Sequence, residues 1–112
     1  MIKANDSLQR CNGTENYHKI SLGLICTDGV LELAETFKCY WFTDIIASYQ
    51  PELKKYNRQI WKIIRNDGES NAVVICDELN RLVTQEIPYT NFEPNMAIVW
   101  VFDGIALLPS EY

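Results

Sequence analysis

The sequence has few of the residues from which metal, nucleotide and membrane sites are built. It contains one histidine, His18, and its four cysteines include no C-x-x-C pair, so a tetrahedral zinc site is disfavoured. Its five glycines stand singly, and neither the P-loop nor the dinucleotide-binding glycine pattern occurs. No apolar run approaches the ~20 residues of a membrane-spanning helix. We therefore expect no metal ion, no cofactor and no membrane partner.

The composition is that of an ordinary globular protein, with 47% hydrophobic and 22% charged residues in a chain of 112. Such a chain can bury one core, so residues 1–112 are assigned to a single domain. Residues 1–16 are polar and are expected to be loosely ordered or to form a short helix around residues 6–10. The first residues lack the apolar core of a secretory signal, and we predict a cytoplasmic protein with reduced cysteines. These are Cys11, Cys26, Cys39 and Cys76.

The charges are unevenly distributed along the chain. The net charge of −5 has the wrong sign for a protein whose affinity depends on neutralising many phosphates. Residues 66–112 hold eight acidic residues and one basic residue, Arg81. Residues 54–65, by contrast, hold five basic residues, no acid and one tryptophan. If exposed together, these side chains would form a patch for single-stranded RNA or a phosphate. This basic-aromatic patch comprises Lys54, Lys55, Arg58, Trp61, Lys62 and Arg65.

Two helices are predicted in the first half of the chain. Thr27 or Asp28 can cap the first helix, because side-chain oxygens accept hydrogen bonds from the amides of a first turn. Apolar residues then recur at helical spacing as far as Phe37. A second periodic run follows, and Pro51 is expected to end it, because proline lacks an amide and disfavours helical geometry in the preceding residue.

The second half of the chain is predicted to form β-strands. Residues 59–64, 72–76, 81–87, 96–102 and 105–108 are apolar or alternating runs of strand length. Asp103-Gly104 is a preferred dipeptide for a two-residue type I′ hairpin. These patterns predict an α+β fold in which two or three N-terminal helices pack on one face of a C-terminal antiparallel β-meander of four or five strands. Four large side chains are expected to meet in the core, namely Trp41, Ile45, Trp61 and Trp100.

Few side chains suggest chemistry. One hypothesis is a hydrolase or transferase that uses His18 with Asp44 and Ser48, the last two of which share a helix face. A second hypothesis is that Tyr40, Asp44 and Ser48 lie along a polar flank of the second helix and line a groove. Carboxylate pairs such as Asp28 with Glu32 are assigned to helix capping and solvation.

Five segments resemble a domain-of-unknown-function family of small bacterial, plasmid and phage proteins. The resemblance implies no catalytic residues, because that family has none assigned, but it implies a compact protein carried by mobile elements. Such elements encode short acidic proteins that inhibit host nucleases. The matching segments are T-D-G-V-x-x-L-A-E at residues 27–35, Y-W-x-x-D-x-I-A-S-Y-Q at 40–50, I-W-K at 60–62, I-P-Y-T at 87–90 and L-L-P-S-E-Y at 107–112.

The leading functional prediction is therefore a non-enzymatic protein-binding module. Its most concrete form is an anti-CRISPR-like inhibitor that binds a nucleic-acid-processing effector or its guide-RNA complex, with an acidic surface in a basic channel. The alternatives are the small hydrolase or transferase and a single-stranded RNA-binding module. Whether the protein is a monomer or a homodimer is left open, since the apolar run at residues 97–102 fits a central strand or an edge that pairs with a second copy.

Overall fold

The fold is α+β, with two α-helices and a seven-stranded mixed sheet in the described part of the chain. The computed structural model describes residues 17–19, 24–53, 56, 58–66, 69–77, 81–90, 92 and 94–111. The helix predicted around residues 6–10 lies outside these ranges. The elements in chain order are β1 Tyr17–Lys19, β2 Ile25–Thr27, α1 Asp28–Thr36, α2 Tyr40–Leu53, β3 Arg58–Ile64, β4 Ala72–Asp77, β5 Arg81–Ile87, β6 Met96–Phe102, β7 Ile105–Leu107 and a 3₁₀ turn Pro109–Glu111.

The sheet has the strand order β1-β2-β7-β6-β3-β4-β5. Strand β3 lies near the centre and pairs antiparallel with β4 on one side and β6 on the other. All pairings are antiparallel except that of β2 with β7, which is parallel. The described sheet therefore ends in the three-residue strand β1 at one edge and the seven-residue strand β5 at the other.

The strand count exceeds the four or five predicted, and the sheet is not purely antiparallel. All five predicted strands form, but β1 and β2 are added beside β7. Each of these two strands has only three residues, which is too short for an alternation of polar and apolar residues to stand out. The position of β2 is set by pairing with residues far away in the chain, since Ile25 lies opposite Ile105, and β1 then pairs with β2.

The turn between β6 and β7 confirms the hairpin prediction. Asp103 has a φ of 51° and Gly104 a φ of 82°, and a type I′ turn requires positive φ at both central residues. Glycine adopts this conformation without steric cost. Phe102 and Ile105 pair directly across the turn.

The start of α1 agrees with the prediction, whereas the end of α2 does not. Thr27 is the N-cap of α1, and its Oγ1 accepts a hydrogen bond from the backbone N–H of Val30. The prediction that Pro51 ends α2 is wrong, because the helix runs on to Leu53. The Leu53 side chain is buried and its carbonyl accepts a hydrogen bond from Gln59 Nε2. These contacts offset the single helical hydrogen bond that a proline in the last turn forgoes.

The core lies between the helices and one face of the sheet. Alternate residues of the central strands are buried there, Trp61 and Ile63 in β3 and Val99 in β6. Trp41 and Ile45 pack against this core and are partly buried, as expected for an amphipathic helix. Trp100 does not join them, because it alternates with Val99 along β6 and so belongs to the other face of the sheet.

Three cysteines lie among the described residues, and each is free and buried. Burial, together with the negative charges of Glu111 and Asp28, raises the pKa of Cys26 to about 11. Burial also raises the pKa of Cys39 to about 12. Both thiols are therefore protonated near neutral pH and are poor nucleophiles. No helix in the described ranges is both long enough and apolar enough to cross a membrane.

Candidate functional site: a groove between helix α2 and strand β5

Helix α2 runs alongside the edge strand β5 in the opposite direction. Tyr49 Oη donates a hydrogen bond to Gln85 Oε1 over 3.1 Å, and Ile45, one helical turn earlier, lines a cavity together with Ile87, two residues later. Four residues of helix advance ~6 Å along the axis, and two residues of strand advance ~6.8 Å. One turn of α2 therefore covers nearly the same length as two residues of β5. One turn before Ile45 and two residues after Ile87, Trp41 and Tyr89 line the same cavity.

This cavity is an open groove of about 590 Å³, a volume within the usual range for ligand pockets. Its walls are mainly apolar and aromatic, and Tyr89 is 71% exposed. Two charged side chains, Lys38 and Asp44, lie among the lining residues. In the ranges that the structure describes, neither side chain has a hydrogen-bond or ion-pair partner. The α2–β5 groove is lined by Lys38, Trp41, Asp44, Ile45, Ile87, Tyr89 and Thr90.

Lys38 occupies the groove at a conformational cost. Its φ is 54°, in the left-handed region where a side chain is disfavoured. The amide of Cys39 bonds to the carbonyl of Ala34 over 2.9 Å, the hydrogen bond of a Schellman motif in which the residue before Cys39 is usually glycine. Strained residues of this kind often lie at binding sites. The lysine therefore contributes a charge at a position where stability alone favours glycine.

Replacement of Lys38 by glycine is expected to raise the free energy of unfolding by about 0.5–1 kcal/mol, because glycine adopts the left-handed conformation without a Cβ clash. Urea unfolding with an unchanged m-value measures the effect. Lys38→Ala is the matched control, since it removes the same charge and keeps the strain. Equal stability of the two variants would contradict this account of Lys38.

Of the three side chains expected along a polar flank of the second helix, only Asp44 lies in the lining of this groove. Tyr40 and Ser48 are not among its lining residues: the Tyr40 hydroxyl donates to Glu35 Oε1, and the Ser48 hydroxyl donates to the carbonyl of Ile45 in its own helix. The far wall comes from β5 and the segment after it, more than 40 residues away in the chain. Ile87, Tyr89 and Thr90 of this wall belong to the I-P-Y-T segment, which carried no prediction of a groove.

The constellation of His18, Asp44 and Ser48 is not formed. His18 Nε2 lies 2.6 Å from Asp28 Oδ1 instead. His18 belongs to β1, whereas Asp44 lies beside β5, and the six strand spacings between these edges amount to roughly 30 Å. A Cys26 nucleophile opposite His18 is equally disfavoured, because the Cys26 thiol is fully buried and its pKa is raised to about 11 by that burial and by the nearby carboxylates.

Trp61 is not available to the basic-aromatic patch. Trp61 is fully buried on the helix-covered face, where its Nε1 donates to Gln59 Oε1, so its ring cannot stack on a base. Arg58 is exposed, and Lys62 shares its strand face. Arg65 donates hydrogen bonds to the carbonyls of Pro94, Asn66 and Glu69. Lys54 and Lys55 lie outside the described residues.

A polar cluster joins the T-D-G-V motif at the start of α1 to the L-L-P-S-E-Y motif near the C-terminus. Glu111 Oε1 accepts hydrogen bonds from Thr27 Oγ1 over 2.6 Å and from the amide of Leu108 over 2.9 Å. Glu111 Oε2 accepts a third from the amide of Gly29 over 3.2 Å. A carboxylate is favourable there because the first amides of a helix carry partial positive charge. We call this cluster the Glu111 clamp, because the carboxylate ties the start of α1 to the turn after β7.

The chain belongs to a family of unknown function, DUF6876, whose sequence profile matches residues 2–112. No curated protein and no solved structure matches the chain. Within the described ranges, no group of three or more histidine, cysteine, aspartate or glutamate residues is placed to hold a metal ion. The α2–β5 groove is therefore the feature from which a function is inferred.

Proposed function

We propose that this member of the family is a non-enzymatic binding protein that takes up a segment of a protein partner in the α2–β5 groove. The observation that carries the proposal is the lining of that groove. Apolar walls from Trp41, Ile45 and Ile87 can bury a partner side chain, while Lys38 and Asp44 present charges of opposite sign that have no partner among the described residues. Apolar anchors with a few charged groups at the rim are typical of protein-recognition sites.

The exposed Tyr89 ring provides the test of this site. Tyr89→Ala is expected to weaken partner binding about 30-fold, because an aromatic interface anchor contributes about 2 kcal/mol or more. Tyr17→Ala is the matched control, since Tyr17 is 61% exposed and lies in β1 at the opposite edge of the sheet. Isothermal titration calorimetry with the partner recovered from the native host measures both effects. Equal loss in both variants, or none in either, would remove the groove from the binding site.

The partner we propose is a host nucleic-acid-processing effector or its guide-RNA complex, with an anti-CRISPR-like inhibition as the outcome. The net charge of −5 and the concentration of acidic residues after residue 65 support this class, because an acidic protein is attracted to a basic nucleic-acid channel. The implied context of mobile elements also supports it. Guide-directed cleavage by the host effector, measured with and without the protein, tests this step separately from the groove. Unchanged cleavage at saturating protein would exclude this partner class.

A further inference from the structure

Strand β5 forms a long edge of the described sheet next to the groove. It has seven residues and no proline, and no strand in the described part of the chain pairs with its outer side. In an antiparallel pair, every second residue directs its N–H and C=O groups away from the partner strand. Pro88 follows β5 directly and cannot donate a hydrogen bond, so the available ladder ends at Ile87.

The opposite edge of the sheet does not offer the same feature. Strand β1 has only three residues, and short edge strands are a common way to prevent pairing with other chains. A long edge without proline is, in contrast, a template for an added strand. The two edges of the described sheet therefore differ in length, and the longer one, β5, lies beside the α2–β5 groove.

The α2–β5 groove is positioned to contact the side chains of a strand added to β5. One helical turn of α2 spans nearly the same length as two residues of β5. Alternate side chains of a strand added to β5 would therefore contact successive turns of α2. The turn at Ile45 offers an apolar surface beside Ile87. Lys38 and Asp44 offer a cation and an anion within the same groove.

We infer that the protein recognises an extended peptide segment by strand addition to β5, with alternate side chains of that segment inserted into the α2–β5 groove. The segment carries a large apolar residue for the groove, with an acidic and a basic side chain that complement Lys38 and Asp44. Main-chain hydrogen bonds supply affinity in this mode, and the side-chain pockets supply specificity. The inference rests on the proposed function, since it specifies how the same groove binds its partner.

A library of random dodecapeptides displayed on phage, selected on the full chain, supplies the probe. Selected sequences are synthesised and measured against the wild-type chain, Tyr89→Ala and Tyr17→Ala by fluorescence anisotropy. The best peptide is then N-methylated one residue at a time, which removes a single main-chain donor. Strand addition predicts that N-methylation at every second residue weakens the Kd at least 10-fold, while methylation at the residues between changes it less than 3-fold.

The possible outcomes separate the two proposals. Alternating sensitivity, with slowed amide exchange at every second residue of 83–87 on binding, supports strand addition. Tyr89-dependent binding with no alternation would keep the groove and overturn strand addition. Failure to select any peptide that discriminates Tyr89→Ala from Tyr17→Ala would overturn both the groove as a peptide site and the inference drawn from it.

Discussion

Replacement of Gln59 by leucine is expected to lower the free energy of unfolding by about 2–4 kcal/mol. Gln59 is 1% exposed, and its side chain is fully hydrogen-bonded. Its Oε1 accepts from Trp61 Nε1 and Gln50 Nε2, and its Nε2 donates to Gln50 Oε1 and the carbonyl of Leu53. Leucine leaves the buried Trp61 N–H without an acceptor and breaks the amide pair that ties α2 to the sheet. Urea unfolding gives the measurement.

A double-mutant cycle distinguishes this network from a simple packing change. Trp61→Phe removes the indole N–H, so the combined variant with Gln59→Leu no longer buries that unsatisfied donor. The pair is expected to cost at least 1 kcal/mol less than the sum of the two single changes. Additive costs would show that the Trp61 hydrogen bond is not what Gln59 contributes.

Gly29→Ala is expected to destabilise the protein by about 1.5–3 kcal/mol, although alanine is the better helix former. A Cβ at Gly29 would lie 2.5 Å from Glu111 Oε1 and 2.8 Å from Leu108 Cδ1. The carboxylate cannot turn aside freely, because Thr27 Oγ1 and two backbone amides hold it. Thermal and urea unfolding of the full chain provide the readout.

The companion variant is Glu111→Ala, which removes the Glu111 clamp directly. Once the carboxylate is gone, Gly29→Ala is expected to cost at least 1 kcal/mol less than it does in the wild-type chain. The contact with Leu108 leaves a residual cost. The same loss in both backgrounds would show that the Glu111 clamp is not the reason for glycine at this position.

Both changes act on elements that position the groove without contributing to its walls. Gln59 holds the last two turns of α2, and the groove lies along the first two turns of that helix. The Glu111 clamp holds the start of α1, which leads into Lys38 at its other end. Stability and peptide binding can therefore be tested with separate residues.

Local sequence signals determined most of the secondary structure. Thr27 has a side chain that caps a helix, Asp103-Gly104 suits a turn with two positive φ values, and five strands follow alternating or apolar runs. Each of these features depends on residues close together in the chain. Family membership was also indicated by short motifs, two of which the structure joins through the Glu111 clamp.

Only the tertiary structure determined the strand order of the sheet, the burial of individual side chains and the position of the groove. Strands β1 and β2 are too short to stand out locally, and they join the sheet because β2 pairs with the distant strand β7 and β1 pairs with β2. Trp61 and Trp100 look alike in the sequence, yet strand register places one in the core and the other on the opposite face. The groove joins α2 to residues 87–90, and no local pattern encodes a contact across that length of chain, because packing alone selects it.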